Sequence, residues 1–222
     1  FDVSALGCAV FLSVGVVGKL VDKRGGYMRT CVHEGVGAMA AVRGLDDQAI
    51  IDACAKSQMD EVVAAVNFNS PGQVVIAGHK SAVERAGVAC KEAGAKRVLP
   101  LPVSVPSHCA LMADAAKKLA IDLEQITFNK PNVEVVNNVD VSIESSSEAI
   151  KSALIKQLYS PVRWSETITA LGEQGITQMV EVGPGKVLQG LVKRINKSIK
   201  CVSFNSDDTL SKAKELTQAT SE

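Results

Sequence analysis

Aromatic side chains are scarce, at 4% of 222 residues with a single Trp, so the core must be built from Ala, Val, Ile and Leu. No apolar run approaches the roughly 20 residues that cross a bilayer. Residues 5–17 are apolar but short, and no basic segment precedes them as a secretory signal requires. Neither charge sign is in excess: 24 Lys and Arg balance 24 Asp and Glu. That balance removes any global field favouring nucleic acid or an anionic membrane, and leaves only a local basic patch open. The six cysteines are scattered with no C-x-x-C pair. This argues against a zinc or disulfide framework and for reduced thiols in a cytoplasmic protein. No initiator Met is present; the expectation from Phe1 is a chain that begins in mid-protein or has been processed.

What is present alternates strand and helix. Residues 37–42 read as a strand, and Asp46-Asp47 supply the acidic start of a helix through about 57. A second strand spans 62–67, Asn69-Ser70-Pro71-Gly72 makes a turn, and a third strand spans 73–77. Ser81 with Glu84 forms a capping box for a helix to about 92, stopped by Gly94, and a last strand spans 97–103. That order, βαββαβ, is the split βαβ or ferredoxin-like unit. Before it, 4–24 reads as a helix despite Gly15 and Gly18. After it come an amphipathic helix over 108–125, a strand over 133–136, and helices over 148–159 and 166–173. A strand over 178–182, a helix over 186–196, a strand over 201–204 and a terminal helix complete the chain. Helices and strands alternating through short loops predict a parallel α/β layer carrying the small unit as an insert.

Of the three histidines, His33 and His79 read as loop and turn residues. His108 differs, because it sits where an extended Pro-containing segment meets a strong helix. Such junctions project side chains from the end of a sheet, where α/β sites gather. As a base it needs a nucleophile across a cleft. Ser107 and Cys109 are adjacent to it, where side chains rarely face one another, and no G-x-S-x-G elbow occurs. Arg24, followed by Gly25-Gly26, is either a solvated charge or a planar fork for a carboxylate. Gly183-Pro184-Gly185 before a helix is either a tight turn or an anion cradle.

Several longer segments carry a family resemblance. Asn67-Phe68-Asn69-Ser70-Pro71-Gly72-Gln73 and Leu101-Pro102-Val103-Ser104-Val105-Pro106-Ser107-His108 resemble bacterial malonyl-CoA:acyl carrier protein transacylases. So do Val136-Asn137-Asn138-Val139-Asp140, Gln157-Leu158-Tyr159-Ser160-Pro161-Val162 and Glu181-Val182-Gly183-Pro184-Gly185-Lys186. The likeness runs without gaps from about Arg24 to Arg194. It implies an α/β fold: an α/β-hydrolase-like large subdomain (1–34 and 102–222, incomplete at its N-terminus) with an inserted ferredoxin-like subdomain (35–101). It also implies a ping-pong transfer in fatty-acid biosynthesis. A serine takes malonyl from malonyl-CoA, and the phosphopantetheine thiol of acyl carrier protein then takes it from the serine. Malonyl-CoA is a substrate, and no cofactor is permanently bound. The partners implied are malonyl-CoA and acyl carrier protein, with neither nucleic acid nor membrane.

Position by position, the resemblance makes His108 the general base and Arg24 the bidentate grip on the malonyl carboxylate. Gln157 becomes the residue whose main-chain carbonyl orients the histidine in place of a triad carboxylate. Asn67 and Asn69 would line the cleft, while Lys96 and Arg97 would face the acidic carrier protein. The family's nucleophile lies in G-H-S-x-G-E, a register that puts the serine two residues before Phe1. The Gly-Gln-Gly loop that contributes an oxyanion contact is missing as well. The 222 residues by themselves are therefore expected to be an inactive fragment of an active enzyme. A carrier-protein or CoA binding module without turnover, and a polyketide-synthase type acyltransferase, are the alternatives. A hydrolase using Ser107 or Cys109 is the weakest.

Overall fold

A computed structural model describes residues 12–129, 132–206, 209–211 and 214–215. They form two compact units. One takes in the described residues up to Phe68 together with Gly72–Arg163; the other holds Asn69–Pro71 and the described residues from Trp164 onward.

In the first unit, helix α1 (Val14–Thr30) opens on Ser13, whose hydroxyl accepts from the Val16 N–H. The helix expected over 4–24 thus ends later, running through Gly25-Gly26; residues 4–11 lie outside the described residues. Two adjacent glycines weaken a helix, but here Met28 is buried beyond them, and burial outweighs propensity.

Next come β1 (Gly37–Arg43), α2 (Asp47–Ser57), β2 (Val63–Ser70), β3 (Gln73–His79), α3 (Lys80–Glu92) and β4 (Arg97–Pro100). Their sheet order is β2-β3-β1-β4, with β1 antiparallel to both β3 and β4. Alternation along β1 divides the faces. Ala40 and Val42 join Ile50, Val74, Ile76, Val83 and Ala86 beneath the two helices. Met39 and Ala41 join Val66, Val75, Ala77 and Cys109 on the other side. Asp46 caps α2 as expected, its carboxylate accepting from Gln48 N–H. The Ser81 box does not form. His79 is the N-cap of α3, while Ser81 donates to Glu61 across the chain at 2.6 Å, since Arg85 holds that carboxylate nearby.

Beyond β4 the amphipathic helix begins later than expected. A 3-10 turn (Ala110–Met112) leads into α4 (Ala113–Glu124), leaving His108 in the preceding turn. Ala115, Ala116, Leu119 and Leu123 form the buried stripe of α4 and pack with Leu20 and Met28 of α1. The strand expected over 133–136 is shorter and shifted: β5 (Val136–Asn137) pairs with β6 (Ser142–Ile143) as a small hairpin. Asn137 makes that hairpin, its side-chain oxygen accepting from the Val139 and Asp140 N–H groups. Helix α5 (Ser147–Lys156), capped by Ser146, adds Ile150 and Leu154 to the α1–α4 core.

The second unit holds α6 (Trp164–Glu173), β7 (Gln178–Val182), α7 (Val187–Ile195) and β8 (Lys200–Phe204). β7 and β8 pair in parallel, and Ile168, Val192 and Ile199 form its core. This parallel βαβ step is the part of the expected α/β layer found among the described residues. No described helix is long and apolar enough to cross a membrane.

Candidate active site

His108 is held by main chain on two sides. Its own N–H donates to Leu158 O at 3.0 Å, and its ring Nδ1 lies 2.8 Å from Gln157 O. A carbonyl oxygen only accepts, so Nδ1 carries the proton and Nε2 keeps a lone pair. The backbone at His108 is left-handed, φ +66°. That is an uncommon conformation for a side-chain-bearing residue, and it is sustained by the two anchors. Burial pulls the imidazole pKa below its ordinary value; the Gln157 bond opposes this and the Arg24 charge adds to it. The ring is therefore neutral at pH 7, a base with an open nitrogen.

Gln157 can serve because of where α5 ends. It is the C-cap, its N–H still donating to Ala153 O at 3.0 Å, while its carbonyl lies past the helical ladder. It is 8% exposed. Its side chain turns the other way, and Oε1 accepts from Arg24 Nη2 at 3.4 Å. Arg24 is half-buried within α1 rather than at its end. Arg24, His108 and Gln157, far apart in sequence, thus meet at one place.

The segment after Gln157 ties this group to the sheet. Val162 N–H donates to Val66 O at 2.8 Å and Phe68 N–H to Val162 O at 2.9 Å, making a parallel bridge at Asn67. Asn67 is half-buried on β2. Asn69 lies two positions further along β2 and falls in the second unit. Lys96 and Arg97 are exposed around the start of β4, and no hydrogen bond joins them to His108 among the described residues. Arg97 stands opposite Arg43 of β1 in the ladder, a like-charge pairing that stabilises nothing within the chain.

Cys109, next to His108, is a poor nucleophile. It is buried, its thiol donates to Pro106 O at 3.1 Å, and burial pushes it up to about 11. Ser107 follows a tight turn, its N–H bonded to Val105 O. His33 is exposed, while His79 Nδ1 accepts from Val62 N–H at 2.9 Å. The glycine turn at 183–185 is no open anion cradle. The Glu181 carboxylate already accepts from Leu188 and Gln189 N–H, at 3.0 and 2.7 Å, at the start of α7. Two features escaped the sequence reading: the Leu158 carbonyl, whose side chain signals only core, and Glu181, whose spacing from α7 was the available clue. Among the described residues no cluster of His, Cys, Asp and Glu could hold a metal.

A half-buried neutral histidine oriented by a main-chain carbonyl and joined through one glutamine to an arginine suits acyl transfer to or from a carboxylated group. The "Acyl transferase domain" family model matches residues 8–218, which places the chain among the acyltransferases. The malonyl CoA-acyl carrier protein transacylase of Escherichia coli K12 is 55% identical over 215 residues, 97% of this chain and 70% of the relative. That of Bacillus subtilis is 41% identical over 210 residues, covering 94% and 66%. Among solved structures, an acyl carrier protein S-malonyltransferase from Vibrio cholerae superposes with TM-score 0.94 at 56% identity, covering 95% and 69%. A malonyl-transacylase in complex with its holo type II PKS acyl-carrier protein gives 0.95 at 54%, covering 98% and 70%. The chain belongs to the malonyl CoA-acyl carrier protein transacylase family.

Proposed function

We propose that the protein transfers malonyl from malonyl-CoA to the phosphopantetheine thiol of acyl carrier protein, through a seryl ester, in fatty-acid biosynthesis. The observation that carries this reading is the joint anchoring of His108 and Arg24 on Gln157. In the first half, His108 Nε2 takes the serine proton as the oxygen attacks the thioester carbonyl. The C–S bond breaks, and the departing CoA sulfur leaves with that proton. In the second half the carrier thiol gives its proton to Nε2 and attacks the ester. The C–O bond breaks, and the proton returns to the serine. Arg24 holds the malonyl carboxylate during both halves. Asn67 and Asn69 contribute to the cleft wall, within a large subdomain of 1–34 and 102–222 and a small one of 35–101.

The family's serine lies in a G-H-S-x-G-E motif that does not occur within the 222 residues, so the 222 residues alone are inactive in this proposal. Lys96 and Arg97, extended by Arg43 across the ladder, present positive charge to the acidic carrier. The absence of a serine elbow from the 222 residues favours a second reading for the chain on its own: it binds carrier protein or CoA without turnover.

Intact mass after incubation with malonyl-CoA tests this, on the chain and on a version extended upstream from its source DNA. An adduct of about 86 Da, the mass added by acyl transfer, is expected on the extended protein only. An adduct on the 222 residues themselves would relocate the nucleophile. In the extended protein, Arg24→Ala lowers malonyl transfer far more than acetyl transfer; equal losses would refute the carboxylate grip.

A further inference from the structure

Gln157 does two things with two different parts of itself, and only one is accounted for by the base. The main-chain carbonyl holds His108 Nδ1, a contact any residue at this position would supply. The side-chain amide is buried beside it and accepts from Arg24 Nη2. Burying an amide costs free energy unless it is hydrogen-bonded, so the choice of glutamine here asks for a reason beyond the carbonyl. Arg24 reaches the site from within α1, on a long side chain with many rotamers, and the contact on its Nη2 restrains where the guanidinium sits.

We propose that the Gln157 side chain is a positioning residue for acyl-group selection: it sets the Arg24 fork for a carboxylated acyl group, independently of its main-chain hold on His108. The inference rests on the transacylase reading above. It divides Gln157 into a backbone function shared by all acyl groups and a side-chain function felt only by those with a distal carboxylate. Two substitutions separate these. Gln157→Ala keeps the carbonyl and deletes the contact to Arg24. Gln157→Glu keeps size and shape, but gives Arg24 a resident carboxylate that competes with the substrate's.

In the upstream-extended protein, kcat/KM is measured for malonyl-CoA and acetyl-CoA. Gln157→Ala is expected to lower the malonyl-to-acetyl ratio about tenfold, the effect of losing a hydrogen bond to a charged group. Gln157→Glu is expected to raise KM for malonyl-CoA with a smaller change for acetyl-CoA, and it retains a test if the alanine variant folds poorly. The His108 imidazole titration, read by NMR, keeps its wild-type midpoint in Gln157→Ala, because the burial that lowers the pKa and the carbonyl that raises it both remain. Losses equal for malonyl and acetyl, or a His108 pKa that falls further as the carbonyl contact is lost, overturn the proposal and make the side chain merely structural. If the extended wild-type protein forms no malonyl adduct at all, it is the transacylase reading that fails.

Discussion

At the scale of the residue, His108 is controlled by its surroundings more than by its own chemistry. Burial and the Arg24 charge lower its pKa against the Gln157 bond. The folded-state value thus lies below the unfolded one, and the stability this provides is whole above the unfolded pKa. It is lost as pH falls from about 6.5, the ordinary histidine value, through the folded pKa. A Tm series across that window should decline, and should flatten in His108→Gln. With only three histidines in the sequence, NMR titration of each is practical. Arg24→Gln should move the His108 midpoint upward by removing a neighbouring positive charge. No upward movement would mean that the two side chains do not sense one another in solution.

The elements that set this geometry differ in how plainly the sequence announced them. The ferredoxin-like order was legible because alternating Val and Ile runs, Asp46 and the Pro71-Gly72 turn are local signals. His108 stood out for the same reason, at a junction of Pro106 and a helical pattern. The end of α1 was not legible: Gly25-Gly26 argue locally for a stop, and only the burial of Met28 beyond them continues the helix. Nor was the cap of α3, because the capping-box pattern at Ser81 lost to its contact with Glu61. The meeting of Arg24 with Gln157 depends on three helices packing together, which no local pattern encodes; Arg24 stood open as a solvated charge or a carboxylate fork until the family resemblance gave it a role, and Gln157 came from that resemblance alone.

Two changes test the elements themselves. Gly37 begins β1 where the approach to His108 crosses it, and a Cβ there would lie 2.4 Å from Pro106 Cδ and 2.5 Å from Ser104 O. Gly37→Ala should therefore displace the 104–106 segment, lowering Tm and the acylation rate of the extended protein together. An unchanged rate would show that this crossing does not aim the histidine. Glu181→Ala removes the acceptor for two N–H groups at the head of α7 and should cost about 0.5–2 kcal/mol, the range for a lost N-cap. Urea denaturation measures it, and a loss smaller than that range would mean water replaces the carboxylate.

For the whole molecule, thiol chemistry maps the packing. Burial pushes Cys54 up to about 12 and Cys109 up to about 11, whereas Cys31 and Cys201 are half-buried. Alkylation of the native chain at pH 8 should modify Cys31 and Cys201 well before Cys54 and Cys109, and the order should vanish in urea. Early labelling of Cys109 would contradict its place beneath the small sheet. A formal net charge of zero leaves little self-repulsion, so handling away from neutral pH should improve solubility.

The short run from Gln157 to Val162 grips the His108 turn at one end and the β2 main chain at the other. For anyone redesigning acyl preference this has a practical cost. Side chains on β2 can be exchanged to reshape the cleft, but any insertion, deletion or proline at 66–68 would pull on the same tether and re-aim the base. A library that widens the cleft there will lose clones to a misdirected histidine before it samples new substrates, so diversity belongs in the side chains, with the register of that crossing left intact.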